Sequence, residues 1–214
     1  MRNPSASTTR GDSRPIRDGL GFLRAFLNRP RTVGAVLPSS RYLARALVGR
    51  LDALSGGLVV EFGPGTGPMT RVIRDRLPPG VRYLGIELES RFCALLRERY
   101  PGLEFHQGSA ADLAAVLRDR GLPRPSRIIS GLPFASLPEE VQRGIVDAVA
   151  DCLDGTDGEF RTFQYVHAYG LGAARRFRAM MRERFERFER LGPVLLNVPP
   201  AFVLRYCGAR TGRA

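Results

Sequence analysis

Between positions 58 and 166, short apolar runs alternate with stretches whose apolar residues recur at helical spacing. The runs near 58–62, 82–86, 103–106, 127–130 and 161–166 are expected as strands, with helices near 68–77, 89–99, 110–119 and 138–152 between them. Regular alternation of this kind builds a parallel sheet covered by helices on both faces, with ligands held at the C-terminal ends of the strands. Ahead of it, the serine pair at 39–40 can cap a helix running through Tyr42, Leu43, Ala46, Leu47 and Leu51. Further upstream, Asp12 or Ser13 can cap a helix opened by Pro15 and stopped at Pro30. Leu20, Leu23, Phe26 and Leu27 recur there at helical spacing, Phe22 broadens the apolar face, and Arg17, Arg24 and Arg29 flank it. The end of the chain breaks the alternation. A long helix near 171–190 carries Phe177, Met180, Met181, Phe185 and Phe188 along one face, and 194–198 and 201–207 read as two strands around Pro199-Pro200.

A chain of 214 residues fits one α/β domain and little more. Its net charge of +12 comes from arginine alone, and position says more than the total. Residues 1–50 hold ten Arg against Asp12 and Asp18, and residues 171–190 hold seven Arg against three Glu, so these two segments account for the whole excess. Charge loaded at two ends suits a polyanion, either nucleic acid or an anionic membrane surface. Cys93, Cys152 and Cys207 are scattered, which reads as reduced thiols in a cytoplasmic protein, and neither His106 nor His167 has a partner at metal-site spacing, so no metal is expected. The first 14 residues are polar and lack the apolar core of a signal peptide, so they read as a disordered tail. No stretch approaches the roughly 18 apolar residues of a membrane span, which leaves a peripheral contact as the mode of any membrane association.

The candidate chemistry begins at the first strand. Val59-Val-Glu-Phe-Gly-Pro-Gly-Thr-Gly67 is an apolar run ending in an acid, Glu61, followed by Gly63, Gly65, Thr66 and Gly67. Glycines without Cβ let the backbone approach a ligand, and Glu87, closing the next strand 20 residues beyond Gly67, can accept both hydroxyls of a ribose. After the third strand, Gly108-Ser-Ala-Ala-Asp112 supplies Ser109 and Asp112 for an adenine amine, although an acid there can equally serve the helix dipole. The Gly-x-Gly-x-Gly spacing with its leading acid resembles the first motif of class I S-adenosylmethionine (SAM) methyltransferases. That resemblance implies a Rossmann-like, seven-stranded, mostly parallel sheet with an antiparallel last strand, helices on both faces, an added N-terminal amphipathic helix, and SAM as cofactor.

The fourth strand ends in Ser130-Gly-Leu-Pro-Phe134. This run is similar to the Asn-Leu-Pro-Tyr motif of the ribosomal RNA adenine dimethylases, with Gly131 in place of their Asn and Phe134 in place of their Tyr. Together with Val33-Gly-Ala-Val-Leu-Pro-Ser-Ser40, the run extended to Pro138 and Phe163-Gln-Tyr-Val-His167, it more closely resembles the bacterial phospholipid N-methyltransferases over nearly the whole chain. The resemblance implies transfer of methyl groups to the amine of a phosphatidylethanolamine-like lipid. It implies a helix lying on the membrane, with Arg17, Phe22, Leu23, Arg24, Phe26 and Leu27 as contacts, and a loop through Gly34 closing over the cofactor. Ser130 joins the cofactor site, and Gly131, Pro133 and Tyr169 face the acceptor. Phe134, Tyr165 and Tyr169 are candidate aromatic walls for a methylammonium, with His167 as a proton acceptor or phosphate contact.

Three segments follow: a tail at 1–14, a basic membrane helix at 15–31 and the methyltransferase domain at 32–214. The expected setting is a cytoplasmic monomer on the inner face of the cell membrane, with lipid rather than nucleic acid as partner. Two alternatives stay open, an RNA adenine N6-methyltransferase and a non-catalytic RNA- or membrane-binding protein on the same fold.

Overall fold

The structure, a computed structural model, describes residues 40–210. The expected tail, the membrane helix at 15–31 and the loop through Gly34 lie outside the described residues. Within them, Ser40 caps the first helix, α1 (Arg41–Val48), by accepting the Leu43 N–H at 3.2 Å. The remaining elements are β1 (Leu58–Phe62), α2 (Pro68–Arg74), β2 (Arg82–Glu87), α3 (Ser90–Arg99), β3 (Glu104–Gln107), α4 (Leu113–Asp119), β4 (Pro125–Ser130), α5 (Glu139–Leu153), β5 (Glu159–Tyr165), α6 (Gly172–Arg184), β6 (Phe185–Val194) and β7 (Ala201–Ala209).

The seven strands form one sheet in the order β3-β2-β1-β4-β5-β7-β6. The first five run parallel, and β7 lies antiparallel between β5 and β6. Chain order reverses at β1, between β2 and β4, and that is where an open α/β sheet leaves a crevice for a ligand. All five residues of β1 are buried because helices cover both faces. Leu58, Val60 and Phe62 pack with α4, α5 and α6, whereas Val59 packs with α1, α2 and α3. Each such side chain contributes about 1.5–3 kcal/mol by leaving water, so the pleat of β1 fixes which face every neighbour serves.

The end of the chain corrects the expectation of one helix over 171–190. The helix stops at Arg184, and residues 185–194 form an edge strand. Phe185 and Phe188, three apart, satisfy a helical stripe, yet both rings converge on Tyr206 of β7, at 5.9 and 5.0 Å between centroids. Tyr206 is fully buried, and pairing Phe188 with Tyr206 covers it; tertiary packing outweighs local periodicity here. The strand expected at 194–198 is correspondingly the connection between β6 and β7.

Candidate functional site

Backbone hydrogen bonds lock the strand ends at the reversal point into register. Gly131 N–H donates to Phe62 O, Gly63 N–H to Ile86 O and Gly108 N–H to Glu87 O, each at 2.9 Å. Four loops that are far apart in sequence are thereby brought side by side at one edge of the sheet. Gly63 and Gly65 have φ of +64° and +58°, the left-handed region that a side chain disfavours. A Cβ on Gly63 would meet Leu132 Cδ2 at 2.6 Å, whereas one on Gly65 would point into open space within the loop.

Glu87 closes the loop from below. Its Oε2 accepts the Gly65 N–H and its Oε1 accepts the Glu89 N–H, both at 2.9 Å, and the residue is 2% exposed. Burial pushes its carboxyl above the ordinary glutamate range, and the two amides hold that rise back. An ionised carboxylate has about four lone-pair positions, so two amides leave room for two hydroxyl donors. Beside it lies a narrow, mainly apolar crevice lined by Gly63, Leu88, Ser109, Ala110, Leu132 and Ile145, among others. The open space at Gly65, the carboxylate fixed next to it and the apolar slot beyond lie in the order expected for the methionine, ribose and adenine parts of SAM.

Not every expected cofactor residue faces this crevice. Glu61 points to the opposite face of β1, fully buried, where its Oε2 accepts from Tyr83 OH at 2.5 Å and Thr70 Oγ1 at 2.8 Å. Burial pushes its carboxyl up to about 7. Ser130 is buried with its Oγ accepting the Leu132 N–H at 3.2 Å, so it braces the loop that follows β4. Ser109 lines the crevice, while its Oγ accepts the Ala111 N–H; Asp112 stands at the N-terminus of α4 without a side-chain capping bond and does not line it. Thr66 is exposed at the loop tip, and Gly67 opens α2 with its carbonyl accepting from Tyr100 OH at 3.1 Å. Leu88, Ala110, Leu132 and Ile145 were missed by sequence reasoning. Leu88 and Leu132 directly follow Glu87 and Gly131, so adjacency to the polar landmarks was the available signal.

The acceptor side departs further from expectation. Phe134 is 1% exposed, stacked on Phe177 at 4.2 Å and edge-on to Phe160 at 6.1 Å. Its ring belongs to the core and cannot offer a face to an incoming cation. The loop that carries it is held by the buried Gln142, whose Nε2 donates to Phe134 O at 2.7 Å and Leu137 O at 2.9 Å. Tyr169 is likewise engaged: the guanidinium of Arg178 lies 3.7 Å and that of Arg190 5.2 Å from its ring centroid. Its ring therefore already holds cations of the protein's own. Tyr165 and His167, by contrast, stack at 5.6 Å and 13° at the end of β5, with Tyr165 half-buried and His167 exposed. Pro133 is half-buried in the turn after β4, and a Cβ on Gly131 would meet the Gly63 carbonyl at 3.2 Å.

No family model matches the chain. It is 33% identical over 157 residues to an ornithine lipid N-methyltransferase of Singulisphaera acidiphila, a match covering 71% of this chain and 82% of that one. It is 37% identical over 83 residues to the ribosomal RNA small subunit methyltransferase A of Caulobacter vibrioides, covering 37% of this chain and 30% of the relative. Among solved structures, an O-methyltransferase of Bacillus cereus in complex with SAH superposes with a TM-score of 0.58 at 12% identity, over 91% of this chain and 93% of that one. The fold is that of the class I methyltransferases, and SAM is the cofactor. With the lipid enzyme matched over most of its length, the chain belongs to the bacterial phospholipid N-methyltransferase family, related to the ribosomal RNA adenine dimethylases.

Proposed function

We propose that this methyltransferase transfers methyl groups from SAM to the amine of a membrane aminolipid head group, either phosphatidylethanolamine or an ornithine lipid. The observation that carries the reading is the end of β4, where Gly131 has no side chain and is closely fitted against the Gly63 carbonyl. No amide oxygen is present at that position to hold an adenine amine in line. The length of the match to the ornithine lipid enzyme supports the same acceptor class.

When bound, SAM supplies an electrophilic methyl on a sulfonium. Glu87, fixed by the Gly65 and Glu89 amides, accepts the ribose hydroxyls, and Leu88, Ala110, Leu132 and Ile145 exclude water around the adenine. Arranging these groups in advance lowers the cost of bringing amine and methyl into line. The amine has to be neutral to attack, and an imidazole nitrogen of His167 accepts its proton at the exposed end of β5. Tyr165, stacked on His167, offers a π-face to the methylammonium that forms, an interaction of about 0.5–2 kcal/mol. Residues 15–31 rest on the membrane and keep the site near its substrate. Among the described residues no helix is long and apolar enough to cross a membrane. The test incubates the protein with methyl-labelled SAM and either total bacterial lipid or ribosomal RNA. Label should enter the aminolipid fraction; label in RNA and none in lipid would refute the reading.

A further inference from the structure

The large apolar side chains that stand exposed among the described residues all fall between 166 and 198: Val166, Leu171, Leu191, Leu195, Leu196 and Val198. The most open are Leu195, Leu196 and Val198, at 70%, 66% and 72%. These three lie in the connection between β6 and β7. That connection meets the end of β5, because Ala201 pairs with both Tyr165 and Val194, and Val166 N–H donates to Pro200 O at 2.9 Å. It therefore projects from the same sheet edge as the glycine loop, next to the Tyr165–His167 stack.

The connection is a built structure. Asn197 is 3% exposed; its Nδ2 donates to Pro199 O at 2.6 Å, its N–H to Val194 O at 3.3 Å, and its Oδ1 accepts the Ser40 N–H at 2.9 Å. A buried amide with its bonds made holds its apolar neighbours outward, and such a patch is unfavourable in water unless something covers it. Part of the surrounding arginine charge is matched within the protein, Arg161, Arg176, Arg205 and Arg210 pairing with Glu159, Glu139, Glu189 and Glu186, and the remainder is positive. Residues 160–182 contain five Arg and residues 190–210 three, with no Asp or Glu in either segment. Arg175 and Arg190 are exposed, and neither forms an ion pair among the described residues. Apolar tips flanked by guanidinium groups complement an anionic bilayer, with its charged surface and apolar interior; RNA offers the charge but no interior to receive leucines.

We propose that the β6–β7 connection is a membrane-inserting loop. Leu195, Leu196 and Val198 enter the acyl boundary, Arg175 and Arg190 meet lipid phosphates, and the open end of β5 is held against the surface from which the head group arrives. The inference rests on the lipid reading above and adds a second contact to it. Ser40, where the described residues begin, is hydrogen-bonded to this same loop through Asn197.

The chain has no Trp, so Leu196→Trp in the full-length protein provides a single fluorophore. With vesicles of mixed phosphatidylcholine and phosphatidylglycerol, its emission should shift to the blue and be quenched by lipid brominated along the acyl chain. A triple variant, Leu195→Gln, Leu196→Gln and Val198→Gln, should sediment with these vesicles roughly tenfold less than wild type and bind SAM unchanged. If wild type sediments while the Trp emission stays put and the triple variant sediments equally, the loop proposal falls and the lipid reading stands. If wild type does not sediment at all, both fall. Emission already shifted without vesicles, or shifted by ribosomal RNA in their place, would assign the loop to an occupant other than lipid and overturn the proposal.

Discussion

The two halves of the ligand-facing sheet edge are built by different means. Around β2, β1 and β4, recognition rests on backbone amides and a buried carboxylate, all fixed by strand register and glycine conformation. Around β5, β7 and β6, it rests on aromatic rings, arginines and exposed leucines contributed by β5, α6 and the β6–β7 connection. The first half exists once β1, β2, β3 and β4 pair in register; the second exists only once α6, β6 and β7 are docked as well. The glycine-loop half therefore tolerates little change where the backbone makes these bonds, whereas the β5 half is shaped by individual side chains.

The strongest way to break this contrast is at Gly65. Its φ of +58° and the open space beside it make Gly65→Val both strained and obstructive. SAM affinity should fall by about a hundredfold or more, the equivalent of roughly 3 kcal/mol, with the fold retained by circular dichroism. Titration calorimetry decides it, and an unchanged affinity in a folded variant would remove the glycine loop from the cofactor site.

Glu61 gives the next largest effect, read as stability against pH. Burial raises its carboxyl from the ordinary 4.5 to about 7, and its hydrogen bonds from Tyr83 and Thr70 only partly oppose that. Below 4.5 the group is protonated in the folded and unfolded states alike. Between 4.5 and about 7 the unfolded chain releases the proton while the folded protein keeps it, so this contribution to stability is lost as pH rises and is gone above 7. The full loss is on the order of 3 kcal/mol. Glu61→Gln cannot titrate, so its stability relative to wild type should improve by up to that amount from about pH 5 to about pH 8, followed by urea unfolding. The slope is the readout because a glutamine amide here adds a cost that does not vary with pH. Parallel pH profiles for the two proteins would mean that Glu61 is not protonated in the fold.

What the sequence made legible follows the same division. Strands expected near 58–62 and 82–86 occur at Leu58–Phe62 and Arg82–Glu87, because a buried parallel strand must be a short apolar run wherever it lies. Gly63, Gly65 and Glu87 were legible as neighbours because their placement depends on the backbone and on strand ends. Glu61 was legible as a motif residue but its direction was not, since only the pleat of β1 turns it toward Tyr83. Phe134 and Tyr169 looked like free aromatic faces; Phe177 and Arg178, contributed by α6, occupy them. The boundary at Phe185 was hidden for a related reason: the partner that settles it, Tyr206, is 21 residues further on.

The smallest expected effect separates the two aromatic residues that the sequence could not tell apart. Tyr165 stacks on His167 at the open edge, and Tyr165→Ala should lower kcat by about twofold to thirtyfold, as loss of a roughly 0.5–2 kcal/mol contact to a developing cation implies. SAM affinity should be kept, because the cofactor crevice is lined by other residues. Phe134 sits between Phe177 and Phe160, so Phe134→Leu should cost stability, about 1 kcal/mol by analogy with other volume-reducing core changes. Its kcat with lipid should remain close to wild type at a temperature where the variant is folded. The two variants thus exchange signatures, one kinetic and one thermodynamic. If Phe134→Leu lost turnover with its stability intact, or Tyr165→Ala lost stability with its turnover intact, the acceptor wall would have to be redrawn around the β4 end and not the β5 end.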